Sequence, residues 1–141
     1  MLQVVKYKRV SIREGTYMKI AEVSKQFDIS ADTLRYYERV GLLPHVQRTK
    51  SGIRDFGEQD CARIKFIKCM RGAGMSIEAL IEYMQLIAEG EATIPQRIAL
   101  LEEQRDLMRK RVEEMQVGID KLDYKIANYE QVMKTTEKDL L

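Results

Sequence analysis

Three features of this sequence predict a mainly α protein: a winged helix-turn-helix DNA-binding domain, then a helix pair, then one long dimerising coiled-coil helix. Two short helical periodicities flank a tight turn between Met18 and Val40, and a basic hairpin pattern follows as far as Arg54. From Thr93 onward, apolar residues recur at alternating three- and four-residue spacing for five heptads, a pattern that marks a helix in need of a partner helix.

A chain of 141 residues suits one compact domain, or a small domain carrying a helical device. Its 45% hydrophobic and 33% charged residues, with only two prolines, fit a soluble, helix-rich protein. No stretch approaches the roughly 18 apolar residues of a membrane span. Lys6, Lys8, Arg9 and Arg13 interrupt the apolar residues at the amino terminus, so a secretory signal is not expected. The expectation is a cytoplasmic protein with no membrane partner. Net charge is +2, yet the first 75 residues hold 15 Lys and Arg against 8 Asp and Glu, and the last 66 hold 9 against 14. A basic front and an acidic back suit a nucleic-acid-binding head on a non-binding tail.

Residues 1–17 are read as an N-terminal extension preceding a natural start at Met18, because Arg13-Glu14-Gly15 can be encoded by a purine-rich run like a bacterial ribosome-binding site. If ordered, VVKYKRVSI has the composition of an edge strand. Ile20, Val23 and Phe27 give a first short amphipathic helix, broken at Asp28-Ile29-Ser30. Ser30 is a good cap for a second helix ending near Val40, before Gly41. Helix, turn and helix within about 20 residues is the arrangement whose second helix enters the major groove. The exposed half of that helix carries Thr33, Arg35, Tyr36 and Arg39, while Tyr37 faces inward beside Leu34. Arginine pairs bidentately with guanine, and the hydroxyls reach base edges or phosphates.

LLPHVQRTKSGIRDF follows, with a turn at Lys50-Ser51-Gly52 between two short extended runs, and it reads as a wing. Arg48, Lys50 and Arg54 along it are candidate phosphate contacts. The lone His45 is read as an exposed loop residue, and no metal site is expected. A third helix is expected over Glu58–Gly72, with Ala62, Phe66, Cys69 and Ala73 as its apolar stripe. A fourth runs from the cap Ser76 to about Glu89, with Ile77, Leu80, Ile81, Met84 and Ile87 inward.

Taken together, LRYYERVGLLP, the SGIRDF wing end and the helix pair resemble the MerR family of bacterial transcription regulators over roughly residues 18–90. FIKCMRGAGMSIEALIEYMQL further resembles the AdhR/NmlR-like subgroup, which answers aldehydes and thiol stress. That resemblance implies that Cys69 senses the effector. By pattern alone Cys69 is a core cysteine, although Lys65, Lys68 and Arg71 nearby would favour its thiolate. Cys61 is treated as incidental, and eight residues along one helix is too far for a Cys61–Cys69 bridge.

The tail starts at Thr93-Ile94-Pro95-Gln96, read as a capping box, and its seam runs through Ile98, Leu101, Arg105, Met108, Val112, Met115, Ile119, Leu122, Ile126, Tyr129 and Met133. A rod of roughly 60 Å over residues 93–134 is expected to form a homodimer, with Arg105 fixing register. The branched seam residues favour a parallel pair on general rules, whereas the family resemblance implies an antiparallel one, and an antiparallel pair is expected. The expected boundaries are 1–17 for the extension, 18–90 for the DNA-binding domain, and 91–141 for the coiled-coil helix and its tail.

One histidine, no nucleophile motif and no Gly-rich phosphate loop argue against an enzyme, and no cofactor is expected. Expected partners are double-stranded promoter DNA, a second copy of the chain and, through the DNA, RNA polymerase. The resemblance implies an active state that bends and untwists an overlong-spaced promoter. Two other readings stay open: a MerR-like regulator switched by a small hydrophobic ligand, with Cys69 structural, and a coiled-coil adaptor.

Overall fold

The computed structural model describes residues 17–141, so the extension and edge-strand readings of residues 1–16 lie outside the described residues. The chain divides into two compact units, the boundary falling after Ala88.

The first unit is built from α1 (Ile20–Phe27), α2 (Ala31–Arg39), α3 (Glu58–Gly72) and α4 (Ile77–Glu89). Asp28 ends α1 in the left-handed region, at φ 51°, a conformation that Asp tolerates better than bulkier residues do. Ser30 Oγ then accepts the Thr33 N–H at 3.1 Å and caps α2 as expected. Gly41, at φ 82°, turns the chain out of α2. Val23 and Phe27 of α1, Leu34 and Tyr37 of α2, and Leu42, Leu43 and Val46 beyond it are buried.

The wing is a hairpin held by single antiparallel bridges, Arg48 with Arg54 and Met18 with Phe56, rather than by extended strands. Thr49 N–H donates to Ile53 O at 2.8 Å, and Asp55 N–H to Gln47 O at 2.8 Å. Met18 and Phe56 exchange both backbone hydrogen bonds at 2.9 Å, so Met18 closes the base of the wing.

The buried face of α3 differs from the expected stripe. Cys61, Ile64 and Ile67 are buried, whereas Ala62 and Ala73 are exposed, and Phe66 and Cys69 are half-buried. Apolar residues surround this helix, so two faces compete, and the one with two isoleucines removes more apolar area from water. Cys61, expected to be incidental, is a core residue. On α4, Leu80 and Ala79 are buried, Ile77, Ile81 and Met84 half-buried, and Ile87 exposed. Ser76 caps this helix by accepting the Ala79 N–H at 3.1 Å. The Phe66 and Tyr83 rings stack between α3 and α4, 5.6 Å apart and 16° from parallel.

The second unit holds a short turn, Glu91–Thr93, then α5 (Ile94–Ala127), a wide turn at Tyr129–Met133, and α6 (Lys134–Lys138). The capping box expected at Thr93 is absent. Thr93 sits at φ −90° and ψ 2°, outside the extended conformation that aims a hydroxyl at the first helical N–H groups. Its Oγ1 instead donates to Gly90 O at 2.7 Å, and Arg97 donates to Thr93 Oγ1 at 3.1 Å and to Gly90 O at 2.9 Å.

The expected rod through residue 134 is also shorter. The 34 residues of α5 span about 51 Å. Asn128 ends the helix, its Nδ2 donating to Tyr124 O at 2.9 Å. The chain then doubles back: Glu137 accepts from Lys125 Nζ at 2.8 Å and from Tyr129 Oη at 2.6 Å. Met133, expected in the seam, returns to a groove lined by Val117, Asp120, Lys121, Tyr124 and Lys125. Val117 and Tyr124 lie on the side of α5 opposite the 3-4 stripe, so the fold-back gives the out-of-phase apolar residues a partner. The stripe itself stays open in the single chain: Val112 is 65% exposed, Met115 68% and Ile126 74%.

Candidate nucleic-acid interface

The outward face of α2 presents the four residues expected there. Arg35, Tyr36 and Arg39 are exposed and Thr33 is half-buried. Each is held by a neighbour. Thr33 Oγ1 shares a 2.8 Å hydrogen bond with Ser30 Oγ, Arg35 Nη1 meets Asp32 Oδ1 at 2.8 Å, and the Arg39 guanidinium lies 5.4 Å from the centre of the Tyr36 ring. The Arg35–Asp32 pair is solvent-exposed and therefore weak, so DNA can displace it at little cost. Arg39 over Tyr36 gives an extended, cationic surface with an aromatic body.

The three wing cations do not share one environment. Lys50 is exposed at the tip, whereas Arg48 and Arg54 are turned inward onto Glu38. Glu38 Oε1 accepts Arg48 Nη2 at 2.9 Å and Arg54 Nε at 3.2 Å, and Oε2 accepts the Val46 N–H at 2.7 Å. Burial pushes the Glu38 carboxyl up, but the Val46 N–H, then Arg54 and Arg48, outweigh it and hold the group below its usual range. Sequence reasoning missed Glu38. The one local hint is an acid in the last turn of α2, where the helix dipole disfavours it.

Behind this surface the two cysteines separate clearly, and neither is disulfide-bonded. Cys61 is buried, and burial first, then the Asp60 charge, push its thiol up to about 11. Cys69 instead lines an open groove of about 370 Å³ with Ala62, Lys65, Phe66 and Met70. Two of the cations expected to act on Cys69 have other partners: Lys68 Nζ donates to Phe27 O at the end of α1, and Arg71 Nη1 to Met75 O at 2.7 Å. Lys65 alone of the three lines the groove. Native protein at neutral pH should therefore label rapidly at Cys69 with an alkylating maleimide, and at Cys61 only on unfolding. Peptide mass mapping checks this, and equal labelling rates would contradict it.

Among the described residues, no group of three or more His, Cys, Asp or Glu side chains gathers as a metal site, and no helix is long and apolar enough to cross a membrane.

Comparison with known proteins agrees with this geometry. The family model for the MerR HTH family regulatory protein matches residues 18–87, and that for the MerR DNA-binding region matches residues 61–133. The chain is 59% identical over 88 residues to the HTH-type transcriptional regulator AdhR of Bacillus subtilis, a match covering 62% of this chain and 63% of AdhR. A crystal structure assigned to the MerR family, from Listeria monocytogenes, superposes with a TM-score of 0.67 at 46% identity, covering 87% of this chain and 93% of that one. HiNmlR, described as a MerR family regulator lacking the sensor domain and solved bound to promoter DNA, superposes with a TM-score of 0.62 at 30% identity, covering 84% and 94%. These relatives are regulators, not enzymes. A helix-turn-helix head with a wing, a helix pair and a long C-terminal helix thus match the relatives in sequence and in structure: the chain belongs to the MerR family of DNA-binding transcriptional regulators, in its AdhR/NmlR-like subgroup.

Proposed function

We propose that this regulator binds an interrupted two-fold operator in promoter DNA as a homodimer, and that modification of Cys69 by an aldehyde or an oxidant shifts the DNA-bound state. The observation that carries the two-fold reading is the apolar stripe of α5, which nothing in its own unit covers from Val112 to Ile126. A second copy packed antiparallel buries that stripe and supplies a second reading helix for the other half-site. Thr33, Arg35, Tyr36 and Arg39 read or position on the major groove, with Lys50 toward the backbone and Arg48 and Arg54 holding the wing on Glu38. Bending and untwisting the promoter costs a few kcal/mol, within reach of such contacts, and RNA polymerase responds through the altered DNA.

The positions of the two thiols support Cys69 as the trigger. Addition of the Cys69 thiol to an aldehyde carbonyl forms one C–S bond and moves the thiol proton to the carbonyl oxygen, so no further reactant is required. The adduct adds bulk and a hydroxyl to a groove lined by Lys65, Phe66 and Met70, changing what packs there. The next residue back, Lys68, ties α3 to the end of α1 through Phe27 O, which gives a shift of α3 a route to the DNA-reading pair. Cys69→Ser should keep operator binding and lose aldehyde induction in a promoter-reporter assay, and full induction in that variant defeats the trigger. The apolar lining also supports a second reading, in which a small hydrophobic ligand fills the groove and Cys69 is only part of its wall. Retained induction in Cys69→Ser favours that reading.

A further inference from the structure

We infer that Glu38 is a positioning residue for sequence discrimination, fixing the wing against the reading helix while weakening the protein's general attraction to DNA. The inference rests on the DNA-reading assignment, and its core is one carboxylate that joins three separate points of the chain. Glu38 lies in the last turn of α2, its side chain only 9% exposed. One oxygen takes the Val46 N–H where the wing begins, and the other takes Arg48 and Arg54. Those two arginines are cross-strand partners in the hairpin, so a single group sets both the root and one face of the wing relative to α2.

Charge and geometry have opposite consequences for DNA. A carboxylate beside a phosphate backbone repels it, so Glu38 lowers affinity for every sequence alike. Geometrically it holds two like charges together on one hairpin face and keeps the wing at one angle to the helix. Arg48 Nη1 is buried with no hydrogen-bond partner, so the Arg48 guanidinium has no second internal acceptor to which it can retreat. Without Glu38, Arg48 must move outward to solvent or phosphate. Discrimination needs α2 and the wing to engage one duplex in a single register, whereas general attraction needs only the charge.

Glutamine cannot stand in for Glu38, because both oxygens receive donors and a terminal NH₂ would meet one of them. Aspartate keeps the charge but is one methylene short of spanning Val46 and both guanidinium groups. The experiment uses the full chain and a duplex enriched by the wild-type protein from a randomised pool, alongside random duplex of equal length, across a salt series. Glu38→Gln is expected to raise random-duplex affinity about two- to five-fold, to steepen the salt slope by about one unit, and to reduce the preference for the enriched duplex by roughly ten-fold or more. Glu38→Asp is expected to leave random-duplex affinity and salt slope as in wild type while the preference falls about five-fold. Should Glu38→Gln fail to fold, as judged by circular dichroism, the aspartate variant decides alone. Unchanged preference in the folded variants overturns the inference, as does a parallel loss on both duplexes, which marks mere destabilisation. A wild-type protein that enriches no sequence overturns the DNA-reading assignment, and this inference with it.

Discussion

Phe56→Ala should destabilise the DNA-reading unit by roughly 3–5 kcal/mol in urea or thermal unfolding. Among the described residues, Phe56 is the largest of the fully buried side chains, at 1% exposure, and its backbone holds Met18 in both directions at 2.9 Å. It stands where the wing meets α3, one residue before the Gly57 that precedes that helix. Truncation removes the ring and leaves a cavity between elements that are fixed by backbone hydrogen bonds and collapse poorly. Since domains carry only about 5–15 kcal/mol in total, the variant is expected to lose much of its folded population at physiological temperature. A loss below about 1.5 kcal/mol would show that the surroundings close over the gap and that Phe56 is not central to this core.

Met115→Glu should turn the proposed dimer into monomer at micromolar concentration and weaken operator binding by at least about a hundred-fold, because a half-site alone offers half the contacts. Met115 is 68% exposed in the single chain and lies mid-stripe between Val112 and Ile119. A two-fold interface receives the substitution twice, so two carboxylates would be desolvated in an apolar seam. The isolated chain should tolerate the change, since the residue already faces water there. Sedimentation velocity reads the assembly and circular dichroism the helix content. A dimer persisting at sub-micromolar concentration would show that copies do not associate through this stripe.

Local rules made several features legible in the sequence. Ser30 capping α2, Gly41 turning the chain, Tyr37 facing inward and the α5 stripe from Ile98 to Ile126 each depend on residues within one or two turns of each other. Where the reading failed, two local signals competed or a distant residue decided. On α3, a stripe through Phe66 and Cys69 competes with one through Cys61, Ile64 and Ile67, and it is the second that packs into the core. Thr93 has the composition of a capping box, but Gly90 and Arg97 take its hydroxyl. In the interface, α2 supplied its exposed residues from periodicity alone. The Glu38 clamp joins residues 38, 46, 48 and 54, and no spacing rule links an acid on a helix to two arginines across a hairpin. Met133 keeps perfect heptad phase, yet Asn128 ends the helix before that phase can act.

A heptad seam of indefinite length is blind to translation, because each side chain meets an equivalent site seven residues along. The seam on α5 is finite: it begins after the Gly90–Arg97 cluster and stops before Asn128. Sliding two such helices by one repeat would strand a pair of apolar side chains at either end, each costing about 1.5–3 kcal/mol in lost burial. By ending α5 at Ala127 and turning the chain back on itself, the molecule gives this helix a defined length, which in the proposed dimer would act as a ruler for the pairing register.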